Sequence, residues 1–336
     1  MAVISAPHEL IDTDTYVDLA PVVGRQLHMK CEGMNFGGSV KMRAAVAMVA
    51  AAESESLIGD DSVLIESSSG NFGVALSVVA ASKGIPFTCV TDRRCNSQTA
   101  AAMRALGTEL VVVDAPHPVG GFLQARLDLV RTLCAADPRH VWLNQYTNDA
   151  NARAHYEGTA PQILSAFPDL DVLFVGVGTA GTAVGCAEYM RDHADKVRVV
   201  AVDSVGSVTF GGPAGPRLVP GLGASVLPPL FDPELFDDTV QVAEVDTIRG
   251  CRLLSSHGML LGGSTGTVVS GALDWLGRND PGRTFRTVCI SPDMGDRYLD
   301  TVYDDAWVLE NFGSEGLRPL PGARAPRTTS PLLSRV

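Results

Sequence analysis

Lys41 lies in the stretch Cys31-Glu32-Gly33-Met34-Asn35-Phe36-Gly37-Gly38-Ser39-Val40-Lys41-Met42-Arg43. The alternating run over 26–31 predicts a strand, Asn35, Gly37 and Gly38 predict a tight turn, and Ser39 is the expected N-cap of the alanine-rich helix that follows. The first turn of a helix carries partial positive charge and disfavours a second cation, so a lysine there gives up its proton more readily. A neutral amine is what Schiff-base chemistry requires. A surface lysine near a helix start would look the same by itself, so the weight falls on what accompanies it.

Three further loops accompany Lys41. Gly176-Val177-Gly178-Thr179-Ala180-Gly181 follows a predicted strand and opens a predicted helix, whose free N–H groups make an anion site. The pattern also matches the dinucleotide fingerprint, with Asp203 near the distance of a ribose-binding acid, so a nicotinamide dehydrogenase is the rival reading. Against it stand the complete α/β block ahead of the loop, the absence of a hydride-transfer pair at a recognisable spacing, and the hydroxyls of Thr179 and Thr182, which suit a terminal phosphate monoester. Ser67-Ser68-Ser69-Gly70-Asn71-Phe72-Gly73 offers hydroxyls, backbone donors and an amide for a small carboxylate and a phenolate-like oxygen, although a well-capped turn would read alike. Gly262-Gly263-Ser264-Thr265-Gly266 is another candidate helix start.

The elements that must hold these loops alternate. Strands are predicted at 62–66, 86–91, 109–113, 141–143, 172–177, 198–203, 240–245 and 285–290, with helices between them including 71–83, 119–134 and 247–257. This is an α/β pattern with mostly parallel sheets, whose ligands sit at the carboxyl ends of strands. Residues 204–229 form a long glycine- and proline-rich loop of the kind that is functional or mobile. From about residue 314 the composition turns to Pro, Arg, Ser and Thr, which predicts a flexible tail over 313–336.

At 336 residues the chain predicts one large or two medium domains, and 46% hydrophobic with 19% charged residues is globular. A formal charge of −12 argues against nucleic acid or an anionic membrane as partner. Seven cysteines without a Cys-x-x-Cys pair, and no close ligand cluster, predict reduced thiols, a cytoplasmic location and no metal. No secretory leader or membrane span is read.

Together these segments resemble the fold-type II pyridoxal-phosphate enzymes, the cysteine synthase and cystathionine β-synthase group, over about residues 15–307. Residues 35–43 are similar to that family's Asn-x-x-Gly-Ser-x-Lys segment, 68–73 to Thr-Ser-Gly-Asn-Thr-Gly, 178–182 to Gly-Thr-Gly-Gly-Thr and 262–266 to Gly-Gly-Ser-x-Gly; 144–156 and 292–303 also match family segments. The resemblance implies pyridoxal 5′-phosphate carried by Lys41, with Asn71 on its ring oxygen. Gly178, Thr179, Ala180, Gly181 and Thr182 would take the phosphate and Ser264 the pyridine nitrogen. Ser68, Ser69, Gly70, Gln145 and Tyr146 would meet the substrate. A hydroxyl rather than a carboxylate at the ring nitrogen favours prompt loss of a β-substituent over a long-lived carbanion, which predicts β-elimination followed by addition. The implied architecture is two-lobed, with a smaller α/β lobe of 40–145 and a larger one of 1–39 and 146–312, in a homodimer. A degenerate binding module is disfavoured because Lys41, Asn71 and Ser264 are all present.

Phe36, Met42, Phe72 and Tyr146 depart from the cysteine synthase pattern. Residues 205–213 and 217–225, and with them 35–43, resemble the subgroup that serves siderophore and peptide-antibiotic biosynthesis, making N-(2-amino-2-carboxyethyl)-L-glutamate from O-phospho-L-serine and L-glutamate. Two anionic substrates call for a cation, and Arg217 is the first candidate, ahead of Arg93 and Arg94. A cysteine synthase using sulfide is the alternative.

Overall fold

The computed structural model describes residues 3–11 and 14–320. Runs of valine, isoleucine and leucine between glycine- and hydroxyl-rich turns become its strands: β1 (Tyr16–Asp18), β2 (Leu27–Cys31), β3 (Val63–Ser67), β4 (Phe87–Asp92), β5 (Glu109–Val113), β6 (His140–Trp142), β7 (Val172–Gly176), β8 (Arg198–Ser204), β9 (Asp238–Val242) and β10 (Thr287–Ser291). They form a six-stranded sheet ordered β1-β2-β10-β7-β8-β9 and a four-stranded sheet ordered β5-β4-β3-β6. Every pairing is parallel except β1 with β2. The strands nearest the centre of the large sheet, β7, β8 and β10, are almost wholly buried, as a parallel sheet covered by helices on both faces requires.

Four helices carry the site: α1 (Lys41–Ser54), α2 (Asn71–Lys83), α3 (Gly181–His193) and α4 (Gly263–Asn279). Alanines let α1 and α2 approach closely, and Ala44, Ala45, Met48, Ala75, Leu76 and Val79 share one core on the four-stranded sheet. The large sheet has a core on each face, with Val200, Val202, Val268 and Trp275 in one and Leu173, Val175, Val184 and Val199 in the other.

Several sequence expectations are corrected. Ser39 is not a helix cap: Val40 stands at the cap with helical dihedrals, and among the described residues no side chain caps α1 and the buried Ser39 hydroxyl has no partner. The predicted strand over 240–245 ends at Val242, because the next helix already begins at Glu244. The long loop after β8 is fastened rather than loose. The Ser207 hydroxyl accepts from Thr209 and Ala224 N–H groups, and Glu244 Oε1 accepts from Leu218 and Val219 N–H groups. Residues 313–320 also depart from the expected tail: Gly313–Leu317 is a 3-10 turn and Leu320 is buried in the large core. The rest of the expected tail, 321–336, lies outside the described residues.

Glu66 shows how the four-stranded sheet holds its carboxyl-end loops. Its fully buried carboxylate accepts from Ser67 N–H at 2.7 Å, Trp142 Nε1–H at 3.2 Å and Gln145 N–H at 3.2 Å. Burial outweighs those donors and raises its pKa to about 7 from 4.5. The folded state therefore binds the proton more tightly than the unfolded chain. The stability this contributes is complete below about pH 4.5 and is lost as pH rises through about 7, a span worth about 3 kcal/mol. Glu66→Gln should flatten that dependence. Denaturant midpoints at pH 5.5 and 8.5 measure it, and a variant with the wild-type slope would assign the titration elsewhere.

Candidate active site

The Lys41 loop is shaped by Asn35. Its Oδ1 accepts from Gly37 N–H at 3.0 Å and Ser39 N–H at 3.4 Å, while its Nδ2 donates to the carbonyls of Glu32 and Ser39. Gly38 has φ +66°, a conformation that glycine adopts without strain. Val40 N–H donates to Pro292 O at 2.7 Å, which ties the loop to the chain after β10. Lys41 is then the first residue of α1 and is half-buried. Its pKa is lowered to about 8 by removal of the ammonium from water, opposed by the negative charge of Asp293. Burial is thus the resolved cause. The nearby buried cations Lys30 and Arg43 are matched by Glu32, at 3.6 and 2.7 Å.

Asn71 opens α2, and Asp293 and Arg297 hold its amide from two sides. Nδ2 donates to Asp293 Oδ2 at 3.0 Å, and Oδ1 accepts from Arg297 Nη1 at 2.5 Å. Asp293 is fully buried and also accepts from the Tyr298 hydroxyl at 2.5 Å, while its Oδ1 has no hydrogen-bond partner among the described residues. Burial raises the Asp293 pKa, against the hydrogen bonds from Tyr298 and Asn71 and the charge of Arg297.

In the loop after β3, Ser68 Oγ accepts from the N–H groups of Gly70 and Gly73 at 3.3 and 2.9 Å, leaving Ser69 and Gly70 half-exposed beside Asn71. Gln145 is buried, and its Nε2 donates to Ser67 O at 3.0 Å. Tyr146 is half-buried, with its pKa raised by burial against the charge of Arg126.

The glycine loop after β7 turns sharply at Ala180, whose φ is +73°. Among the described residues no protein acceptor takes the N–H groups of Gly181, Thr182 and Ala183 at the start of α3, and the buried Thr179 hydroxyl has no partner. Thr182 Oγ1 lies 3.1 Å from His155 Nε2. Burial, with the charges of Lys41 and Arg43, holds that imidazole well below its usual pKa. Ser264, the second residue of α4, is buried, and its hydroxyl makes no hydrogen bond to another described residue. Gly221 comes so close that a Cβ there would overlap the Ser264 hydroxyl, and a Cβ on Gly178 would meet Gly221 O at 2.8 Å.

Side-chain and backbone contacts link the four loops: Val40 to Pro292 next to Asp293, Asn71 to Asp293, Asp293 to Gly262, Ser264 to Gly221, Gly221 to Gly178, and Gly181 through Asn151 to Gln145 O. Arg217 stands apart from this chain of contacts. Its guanidinium donates to the carbonyls of Gly206 and Gly215 and to Ser225 Oγ, so it clasps the long loop on itself. Arg94 pairs with Asp92 at 3.6 Å and both Arg93 and Arg94 lie over the Phe122 ring. Sequence reasoning matched the segment holding Asp293, Arg297 and Tyr298 but gave those residues no role; a buried acid two residues after a strand end was the available signal.

An unprotonated-prone lysine, a helix start with open donors and an orphan hydroxyl, and an unengaged serine hydroxyl are the groups a pyridoxal phosphate needs. Lys41 would carry it, 178–182 would hold its phosphate, and Asn71 and Ser264 would meet its ring.

Residues 15–293 match the family model described as pyridoxal-phosphate dependent enzyme, and this chain belongs to that family. Membership sets aside the dehydrogenase reading of the glycine loop. Two relatives bear the name N-(2-amino-2-carboxyethyl)-L-glutamate synthase. The one from Ralstonia nicotianae is 40% identical over 285 residues, 84% of this chain and 84% of that protein. The one from Cupriavidus metallidurans is 38% identical over 307 residues, 89% and 90% of the two chains. Among solved structures, a hydrogen sulfide-producing enzyme from Fusobacterium nucleatum has a TM-score of 0.83 at 30% identity, covering 88% of this chain and 100% of that one. Among the described residues no helix is long and apolar enough to cross a membrane.

Proposed function

We propose that this chain replaces the phosphate of O-phospho-L-serine with the amino group of L-glutamate, giving N-(2-amino-2-carboxyethyl)-L-glutamate and inorganic phosphate, on the way to 2,3-diaminopropionate. The observation that carries this reading is the likeness, along most of the chain, to two relatives named for that product. Bound pyridoxal phosphate supplies the electron sink that acidifies the substrate Cα–H and lets the β-substituent leave. Ser68, Ser69 and Gly70 take the substrate carboxylate, with Gln145 and Tyr146 alongside. Lys41 Nζ, made less basic by burial, removes the α-proton and later returns one. Ser264 would face the ring nitrogen with a hydroxyl, a partner that would leave the nitrogen without a full proton and favour elimination. Closure of the 40–145 unit on the 1–39 and 146–312 unit excludes water during the reaction. We place the enzyme in the cytoplasm as a homodimer.

Arg217 acts through the loop that it clasps, since Gly223 beside it donates to Val177 O just ahead of the phosphate loop. Arg217→Ala should raise KM for both anionic substrates by about tenfold, because the loop loses the charge-assisted clasp of the guanidinium on its carbonyls, with cofactor still bound. Unchanged kinetics would remove Arg217 from the reaction.

The test of the proposal is phosphate release from O-phospho-L-serine with and without L-glutamate, with mass detection of the product. Glutamate-dependent release supports it. The likeness to a hydrogen sulfide-producing enzyme favours sulfide chemistry as the second reading. Release driven by sulfide alone, or turnover of O-acetylserine only, would move the chain to the cysteine synthase branch.

A further inference from the structure

The Asn71 amide is held by two partners of opposite and invariant polarity. A guanidinium can only donate, and an ionised carboxylate can only accept. Arg297 Nη1 meets Oδ1 at 2.5 Å and Asp293 Oδ2 meets Nδ2 at 3.0 Å. Turning the amide over would set two donors facing each other on one side and two acceptors on the other, so the usual ambiguity of an asparagine amide is absent here. Each partner is itself fixed. Arg297 Nη2 donates to Gly37 O at 2.8 Å, its own carbonyl accepts from Asn96 Nδ2 at 3.0 Å, and the Asp293 carboxylate is anchored by the Tyr298 hydroxyl at 2.5 Å. With one Nδ2 hydrogen engaged by Asp293, the second is left to offer.

We propose that Asp293 and Arg297 are positioning residues that lock the Asn71 amide with its N–H edge presented to the cofactor, so that the ring oxygen meets a donor and is held as the acceptor. The lock explains why a carboxylate is buried beside the reactive lysine. Asp293 orients Asn71 through Oδ2, and its charge also falls on Lys41, whose proton affinity it raises. The groups facing the Asp293 carboxylate include Asn71, Tyr298, Arg297, Lys41 and the backbone of Thr265, every one a donor or a cation. The inference rests on the family's cofactor and on Asn71 meeting its ring oxygen, and not on which nucleophile is used.

The test uses the holoenzyme without any amino acid, so its outcome is independent of the reaction proposed above. Arg297→Met removes the donor at similar length, Arg297→Lys keeps a donor-only group, and Asp293→Asn removes the acceptor-only group at constant volume. Arg297→Met should raise the cofactor dissociation constant about tenfold and shift the ratio of the near-ultraviolet to visible absorption bands of the bound cofactor. Arg297→Lys should restore both towards wild type, and Asp293→Asn should move the band ratio as Arg297→Met does. Should Arg297→Met fail to fold, Asp293→Asn carries the test. An unchanged band ratio in the folded Met and Asn variants overturns the proposal. So does a Lys variant that behaves as the Met variant, which would assign Arg297 to packing against Gly37 and Gly38.

Discussion

Lys41→Ala is expected to lower turnover by about ten-thousandfold, the upper range for a positioned proton-transfer group, and to abolish covalent attachment of the cofactor. The variant should still bind pyridoxal phosphate reversibly. The open N–H groups at the start of α3 and the Thr179 hydroxyl lie on a separate element and do not depend on the lysine. Borohydride treatment followed by peptide mass analysis gives the readout: wild type should carry the cofactor on the peptide containing Lys41, and the variant on none. Turnover within tenfold of wild type, or a label on another lysine, would sink the assignment. Burial makes the prediction specific, because Lys41 is the lysine whose pKa is brought down to about 8. Lys30, though buried, is paired with Asp14 and Glu32 at 3.3 and 3.6 Å.

Gly181→Ala is expected to weaken cofactor binding by about a hundredfold, as overpacking against a buried, hydrogen-bonded side chain at a binding turn costs about 3 kcal/mol. An added Cβ would overlap the side-chain amide of Asn151, which is buried and held by its 2.8 Å bond to Gln145 O. The amide cannot retreat without releasing Gln145, so the substitution should disturb both the phosphate loop and the substrate side of the cleft. Equilibrium dialysis with pyridoxal phosphate measures the first effect. Thr179→Val, which removes only the unpartnered hydroxyl, should cost less, about tenfold. A Gly181→Ala variant with cofactor affinity within twofold of wild type would show that Asn151 yields and that the close approach has no binding role.

The parts legible in the sequence are those governed by near neighbours. Alternating β-branched runs and glycine punctuation marked β2, β3, β4, β5, β7, β8 and β10 to within two residues, and α2 was read with its observed bounds. The loops that follow β2, β3 and β7, and the one opening α4, were visible because tight turns demand glycine or hydroxyl residues at fixed offsets. Reading failed where a local signal was overruled from a distance. Ser39 looks like a cap, but the chain at Pro292 takes the Val40 N–H and sets the turn instead. Residues 313–320 look polar and loose, yet Leu320 finds a place in the large core.

By itself, then, the sequence determined the alternation of strands and helices, the four donor-rich loops, and the lysine at the start of α1, since dihedral preference and burial periodicity act over a few residues. Only the tertiary structure decided what surrounds that lysine. Asp293, Arg297 and Tyr298 are more than two hundred residues away along the chain, yet Asp293 bears on Lys41 and on Asn71. Arg217, a candidate because two anionic substrates call for a cation, donates to the carbonyls of Gly206 and Gly215 in its own loop, a contact that no local signal announces. The lowered pKa of Lys41 likewise comes from removal of water by packed neighbours, an effect of the folded cleft.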